Sequence, residues 1–318
     1  MGPNLTPAGR RTKLVMGGAA LAAAAGIAVA AAPAVAARGA APESAQEAAT
    51  VLAAALRGAN EVPADGGPAD GDENGSALEF IRIDGDRVSV AVSWRGIGKP
   101  TRLHLHEGAK GTSGGVAVDF TRLLDKGGRH RAAGTVKVED AALLQRLRSA
   151  PGGFYANLHT AAFPGGAVRG QLHQVTTGVD FRHVFANFRA SVVEGRQIYE
   201  CKPVEGGGHA FAQRDVGAVL DRHIAHSFVA PNSGTPQWIA PDGSAVTGAV
   251  LSRTPNGAGN IPELDLKATA SGKPRGLLAG TAEILRLNTV GGVAPAGPCT
   301  PGATVGVPYR ADYVFVQR

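Results

Sequence analysis

Four histidines and two arginines stand at spacings that place side chains on a single side of a strand. In residues 102–106, Leu103 and Leu105 alternate with Arg102, His104 and His106. In residues 154–159, Phe154, Ala156 and Leu158 alternate with Tyr155, Asn157 and His159; in residues 168–173, Val168, Gly170 and Leu172 alternate with Arg169, Gln171 and His173. With the two-residue period of a strand, each segment offers an apolar face to a core and a polar face that carries histidine or arginine. Where such strands neighbour one another in one sheet, the polar faces merge into one site. Imidazole nitrogen is the commonest ligand of zinc and copper, so His104, His106 and His159 are the candidate ligands of Zn or Cu. His173 and Arg169 are further candidates: His173 continues the third polar face, and Arg169 presents a fork that clamps a ligand carboxylate or pairs internally with Glu107 or Asp119. The competing reading has the histidines hydrogen-bonded within the fold and holding no metal.

The elements that must position these side chains are strands. Residues 77–83 and 87–94 flank Asp84-Gly85, a strong hairpin signal, and Val88, Val90, Val92 and Trp94 alternate with smaller residues as in a half-buried strand. Residues 139–149 place Leu143, Leu144 and Leu147 at helical spacing before Pro151-Gly152-Gly153, which predicts one short helix. In the second half, residues 237–239 and 244–251 flank the turn Pro241-Asp242-Gly243, and residues 276–287 and 311–317 read as further strands. Trp238 reads as a packing residue and Asp242 as the residue that fixes its turn. Residues 221–226 read as surface, with His223 and His226 on opposite faces of a strand. The fold class is therefore mostly β: two consecutive sandwich or barrel-like domains, the first with one short helix.

The residues "RLHLHEGAKGTSGGVAVDF" followed by "GGFYANLHTAAFPGGAVRGQL" resemble the chordin-type (CHRD) domain, and "ALRGANEVP" fits its opening, so that the resemblance covers residues 51–175. It implies a β-rich extracytoplasmic module and no known reaction. The strand-borne His-x-His also resembles the copper-site tripeptide of copper/zinc superoxide dismutase, without that enzyme's second ligand set. Four later blocks, "GRQIYECKP", "GTPQWIAPDGSAVTGAV", "LNTVGGVAPAGPC" and "VPYRADYVFV", resemble a family of secreted bacterial proteins of unknown function. Phe211 stands where that pattern suggests tryptophan, and Glu263 interrupts an apolar run.

Residues 1–36 read as an export signal: Arg10, Arg11 and Lys13 precede a long Ala/Gly-rich apolar run, and Ala34-Val35-Ala36 offers a small-x-small cleavage site. Arg10-Arg11 lacks the residues that usually follow a twin-arginine pair, which leaves the export route open. Residues 37–50 read as a linker, 51–176 as the first domain and 177–318 as the second. The full chain has 32 basic and 26 acidic residues; without the three basic residues of the leader the balance is 29 to 26, or +3. So small an excess gives no footprint for nucleic acid, and no membrane partner is expected once the leader is removed. Cys201 and Cys299 are the two cysteines, and in an exported chain they most simply form one disulfide, with free thiols or a two-cysteine metal site as alternatives. Both fall inside the motifs of the second resemblance, which implies the same pairing.

No Gly-x-Ser-x-Gly elbow, Walker loop or His-Glu-x-x-His helix is present, and no catalytic residue is assigned. The reading is a secreted or cell-surface two-domain binding or cell-envelope module, whose partner is an envelope component or an extracellular ligand, rather than an enzyme. The alternatives are a metal-binding protein or superoxide-dismutase-like metal-dependent oxidoreductase, and a structural surface spacer.

Overall fold

The alanine-rich run that opens the first half is a central strand. In the computed structural model, which describes residues 48–63 and 71–318, TVLAAALR forms β1 (Thr50–Arg57) with most of its residues buried. Both faces are covered: Leu52, Ala54 and Leu56 enter one core, while Val51, Ala53 and Ala55 enter another. A strand buried on both sides loses the apolar/polar alternation that marks one in sequence. Thr50, expected in the linker, opens this strand. The expected export signal and residues 37–47 of the linker lie outside the described residues.

The hairpin of β2 (Ser76–Asp84) and β3 (Arg87–Arg95) follows, with Asp84 opposite Arg87. The two-residue loop is therefore Gly85-Asp86, one position later than the expected Asp84-Gly85. Gly85 takes φ 58° there, the positive value that primed hairpin turns need. The remaining strands of this half are β4 (Pro100–Glu107), β5 (Val116–Asp119), β6 (Arg131–Lys137), β7 (Phe154–Thr160), β8 (Val168–Gln171) and β9 (His173–Val175). Their order is β5-β4-β7-β8-β1-β2-β3-β6, with β9 paired to β1. The sheet curls into a half-barrel around Leu103, Leu105, Ala156, Leu158 and Val168, among others. Helix α1 (Ala141–Ser149) packs onto that core through Leu143, Leu144 and Leu147. Asp140 caps it by accepting a 2.9 Å hydrogen bond from the Leu143 amide.

The second half is a closed barrel in chain order: β10 (Phe188–Pro203), β11 (His209–Leu220), β12 (Ile224–Phe228), β13 (Pro236–Ile239), β14 (Ala245–Thr254), β15 (Glu263–Ala270), β16 (Thr281–Gly291) and β17 (Thr304–Gln317). Closure removes the exposed edges that an open sheet would leave. Residues 276–280, expected as strand, precede β16, where Gly276 has φ 130° and the Leu277 amide donates to Asp242. Asp242 also accepts from Ser244 and so fixes the turn. Trp238 is 1% exposed inside the barrel. Cys201 and Cys299 are disulfide-bonded with their Cα atoms 5.8 Å apart across a sequence separation of 98. In the chain-entropy model a loop of that length contributes about 4–5 kcal/mol.

The outer face of β16 and β17 supplies Leu285, Leu287, Val314 and Val316, which pack on Val51, Ala53, Ala55, Leu78 and Phe80 of the first sheet. The small side chains of β1 let the two sheets approach closely. No helix among the described residues is long and apolar enough to cross a membrane.

Candidate metal centre

Adjacent strands β4 and β7 carry the three central histidines on the face opposite the half-barrel core. Arg102 lies opposite His159, and His104 opposite Asn157, in the antiparallel register. The pairing gathers His104, His106 and His159 with ring centroids 5.1–6.0 Å apart, edge-on or tilted to one another. One ring nitrogen from each lies within 4.8 Å of the others. The rings are nearly buried, at 7%, 9% and 5% exposed.

Each ring is anchored through one of its two nitrogens. His106 Nδ1–H donates to the Gly114 carbonyl at 3.0 Å, and His159 Nδ1–H to the Pro164 carbonyl at 3.0 Å. His104 Nε2 lies 3.3 Å from Thr121 Oγ1 and 3.5 Å from the Asp119 carboxylate. An acceptor on one nitrogen places the proton there and leaves a lone pair on the other. Those others, His104 Nδ1, His106 Nε2 and His159 Nε2, are buried without any hydrogen-bond partner. Burial, aided by the neighbouring imidazoles and Arg102, pulls His159 down to about 4, and burial also lowers His104 and His106. All three are neutral at pH 7, as a metal ligand must be. A tetrahedral ion with bonds near 2.0 Å sets its nitrogens about 3.3 Å apart, so seating one asks the nitrogens, within 4.8 Å of one another, to close by up to about 1.5 Å.

A cavity of about 510 Å³ reaches His106 and is lined by Glu61, Tyr155, Asn157 and Arg169. Glu61 Oε1 and Asn157 Oδ1 are buried there without partners, and Asn157 donates to Glu61 Oε2 at 3.3 Å. Burial pushes the Glu61 carboxyl up to about 7 against the pull of Arg169. Arg169 does not pair with Glu107 or Asp119, which face Arg146 and His104. Its guanidinium sits 3.5 Å over the Tyr155 ring and donates to the carbonyls of Ala109 and Thr112, holding the loop that supplies Gly114. His173 is not part of the cluster: β8 ends at Gln171, the chain shifts to pair with β1, and His173 Nε2 lies 3.6 Å from Glu263. His226, expected at the surface, is buried. It is 4% exposed inside the barrel, stacked 4.4 Å from Trp238, whereas His223 is exposed.

Sequence reasoning missed Glu61 and the two carbonyl anchors. Glu61 was visible only as part of the run ALRGANEVP, and a carbonyl leaves no residue-type signal. The geometry can hold one divalent ion with an open side toward the cavity. Residues 52–172 match the model of the CHRD domain, and residues 215–317 match that of a protein of unknown function (DUF3455). No curated protein and no solved structure matches the chain. The half that holds the histidine cluster and the half that forms most of the barrel thus have separate family matches, and the chain carries a CHRD domain followed by a DUF3455 domain.

Proposed function

We propose that this chain is an extracytoplasmic binding module whose CHRD domain holds one Zn(II) or Cu(II) ion through His104, His106 and His159. The observation that carries the reading is the set of three buried lone pairs without partners, each on a ring whose second nitrogen is anchored. Leaving such groups unsatisfied costs about 1–3 kcal/mol apiece, and a metal ion satisfies all three together. The anchors match the outer-shell pattern that orients metal-binding imidazoles. The cavity beside His106 gives a bound ion access to a further ligand from solvent.

Isothermal titration of the purified, metal-stripped protein with Zn(II) and with Cu(II) tests this. One equivalent of at least one ion is expected to bind, with affinity at least about 100-fold weaker in His104→Ala and in His159→Ala, because each loses one of three ligands. Asp119→Asn, which alters the carboxylate beside His104 Nε2 and removes no ligand, is expected to lose about 10-fold. Circular dichroism establishes that each variant is folded. No stoichiometric binding by the parent, or equal affinity in folded histidine variants, overturns the metal reading.

Support for an extracytoplasmic setting comes from the leader-like residues 1–36 and from the Cys201–Cys299 disulfide, which suits an oxidising compartment. The intact mass of protein recovered from the medium or cell envelope is expected to place the mature N-terminus at or within a few residues of Ala37. Retention of the whole leader in that material counts against export by cleavage.

A further inference from the structure

The interior of the second-half barrel contains donors without acceptors. Trp238 and Gln197 are each 1% exposed, and Trp238 Nε1, Gln197 Nε2 and Arg286 Nε have no hydrogen-bond partner. An indole N–H and a guanidinium N–H can only donate, so no internal rearrangement turns them into acceptors. All three side chains line one cavity of about 80 Å³, together with His226 and Tyr313. Exposed Gly234 and Arg253 border the same cavity and connect it to the surface.

Alternation along the strands explains the polarity of this space. On β16, Ile284 and Arg286 face inward, whereas Glu283 faces out and accepts from the amides of Thr176 and Thr177. On β17, Tyr309, Tyr313 and Phe315 face inward, and Asp312 faces the first sheet. The lining contains two arginines and no carboxylate. Arg286 donates through Nη2 to the Pro262 carbonyl at 2.8 Å, and the cavity lining offers it no carboxylate. The walls are aromatic: His226 stacks on Trp238 at 4.4 Å, and Tyr313 meets both edge-on at 5.2 and 5.6 Å.

We infer that this cavity is a binding site for a small oxyanion of the carboxylate type, held by Arg286, Trp238 and Gln197 within the aromatic walls. An oxyanion brings several acceptor lone pairs and a negative charge to a guanidinium that the cavity lining leaves without a carboxylate, and it requires no acceptor in return. Water supplies lone pairs too, but it also brings donors and leaves the charge unmatched. The volume sets the class: about 80 Å³ is roughly half the ~150 Å³ that admits benzene in an engineered apolar cavity, which suits a carboxylate group the size of formate or acetate. This site is independent of the histidine cluster and of the metal reading.

The test uses the full mature chain carrying Trp94→Phe, which leaves Trp238 as the sole tryptophan. Sodium acetate and sodium formate are titrated at constant ionic strength against sodium chloride while emission and thermal midpoint are followed. A saturable change in Trp238 emission and a rise in midpoint are expected with the carboxylates. Arg286→Met and Gln197→Leu are each expected to raise the apparent Kd at least 10-fold. Should Arg286→Met fail to fold, Gln197→Leu decides. No saturable response, which would mean that the cavity holds water only, or an unchanged Kd in a folded variant, overturns the inference.

Discussion

The protein is expected to lose stability as pH rises from about 5 to 8, and Glu79→Gln is expected to remove much of that loss. Glu79 lies on β2 between Ala54 and Val92 in the sheet register, is 0% exposed, and has no partner for either carboxylate oxygen. Burial without compensation pushes it up to about 8 from the usual 4.5. Because the folded state holds this proton more tightly than the unfolded state, its contribution is fully present below pH 4.5. It declines as pH rises and is gone above about 8. The difference across that window is at most about 5 kcal/mol, since each unit is worth about 1.4 kcal/mol. Glu61 and Asp265, both raised mainly by burial to about 7, slope the same way, so the comparison that isolates Glu79 is parent against variant. Urea midpoints measured at intervals from pH 5 to 9 should converge at the acidic end and separate at the alkaline end, with Glu79→Gln the more stable. Parallel curves would show that the carboxyl is solvated and reject the assignment. Glu79→Leu, which replaces the polar group with apolar volume, should be more stable still at pH 8.

Glu79 also marks where sequence reading stopped. The segments 102–106 and 154–159 disclosed their strands because one face met the half-barrel core while the other carried histidine. Those histidines converge because β4 and β7 are neighbours in the sheet. β1 did not disclose its strand, because the barrel packs on the face that would otherwise meet water; β2 was legible from its hairpin, but its Glu79 faces the apolar core, where sequence alone would put a carboxylate in water. His226 was misplaced because both faces of its strand were read as surface: β12 belongs to a closed barrel, so the face shared by Ile224 and His226 is buried, while His223 on the opposite side stays exposed. The two-residue period assigns faces, and closure of the barrel decides which of them meets water. Arg169 was expected to find a carboxylate on neighbouring strands, yet those carboxylates already had partners, and it took two loop carbonyls and a tyrosine face instead. Its role in shaping the histidine site depends on the fold of residues 108–115, which no period in the sequence specifies. The barrel reinforces that loop, since Lys110 pairs with Glu263 at 3.0 Å.

Asp312→Ala is expected to destabilise the protein by about 3–5 kcal/mol, the range for removing one partner of a buried charge pair. The carboxylate is 0% exposed on β17 and faces the first sheet. It accepts from both Nε and Nη2 of Arg57, from Ser191 Oγ at 2.7 Å and from Asn288 Nδ2 at 2.8 Å, with Arg189 Nη1 3.7 Å away. Although burial alone would raise its pKa, the hydrogen bond from Arg57 and the charges of both arginines hold it below the usual value. The same groups tie the two sheets together: Asn288 donates to the Ala55 carbonyl at 2.9 Å and accepts from Asn60, while Arg189 donates to the Leu56 carbonyl. Removing the carboxylate leaves Arg189, itself nearly buried, beside Arg57 with no negative charge between them. The cost should therefore exceed that of Ser191→Ala, which deletes one neutral donor at about 1 kcal/mol. Arg57→Met combined with Asp312→Leu should recover much of the loss, because it removes a facing charge along with its partner. Linkage gives the opposite sign to Glu79: a lowered folded pKa makes this contribution present above about pH 4 and lost as pH falls through the folded value. Chemical denaturation of the three variants at pH 7 and at pH 3 reads both effects. A difference between parent and Asp312→Ala that is small at pH 7, or that fails to shrink in acid, would show that the two sheets are held by apolar packing alone.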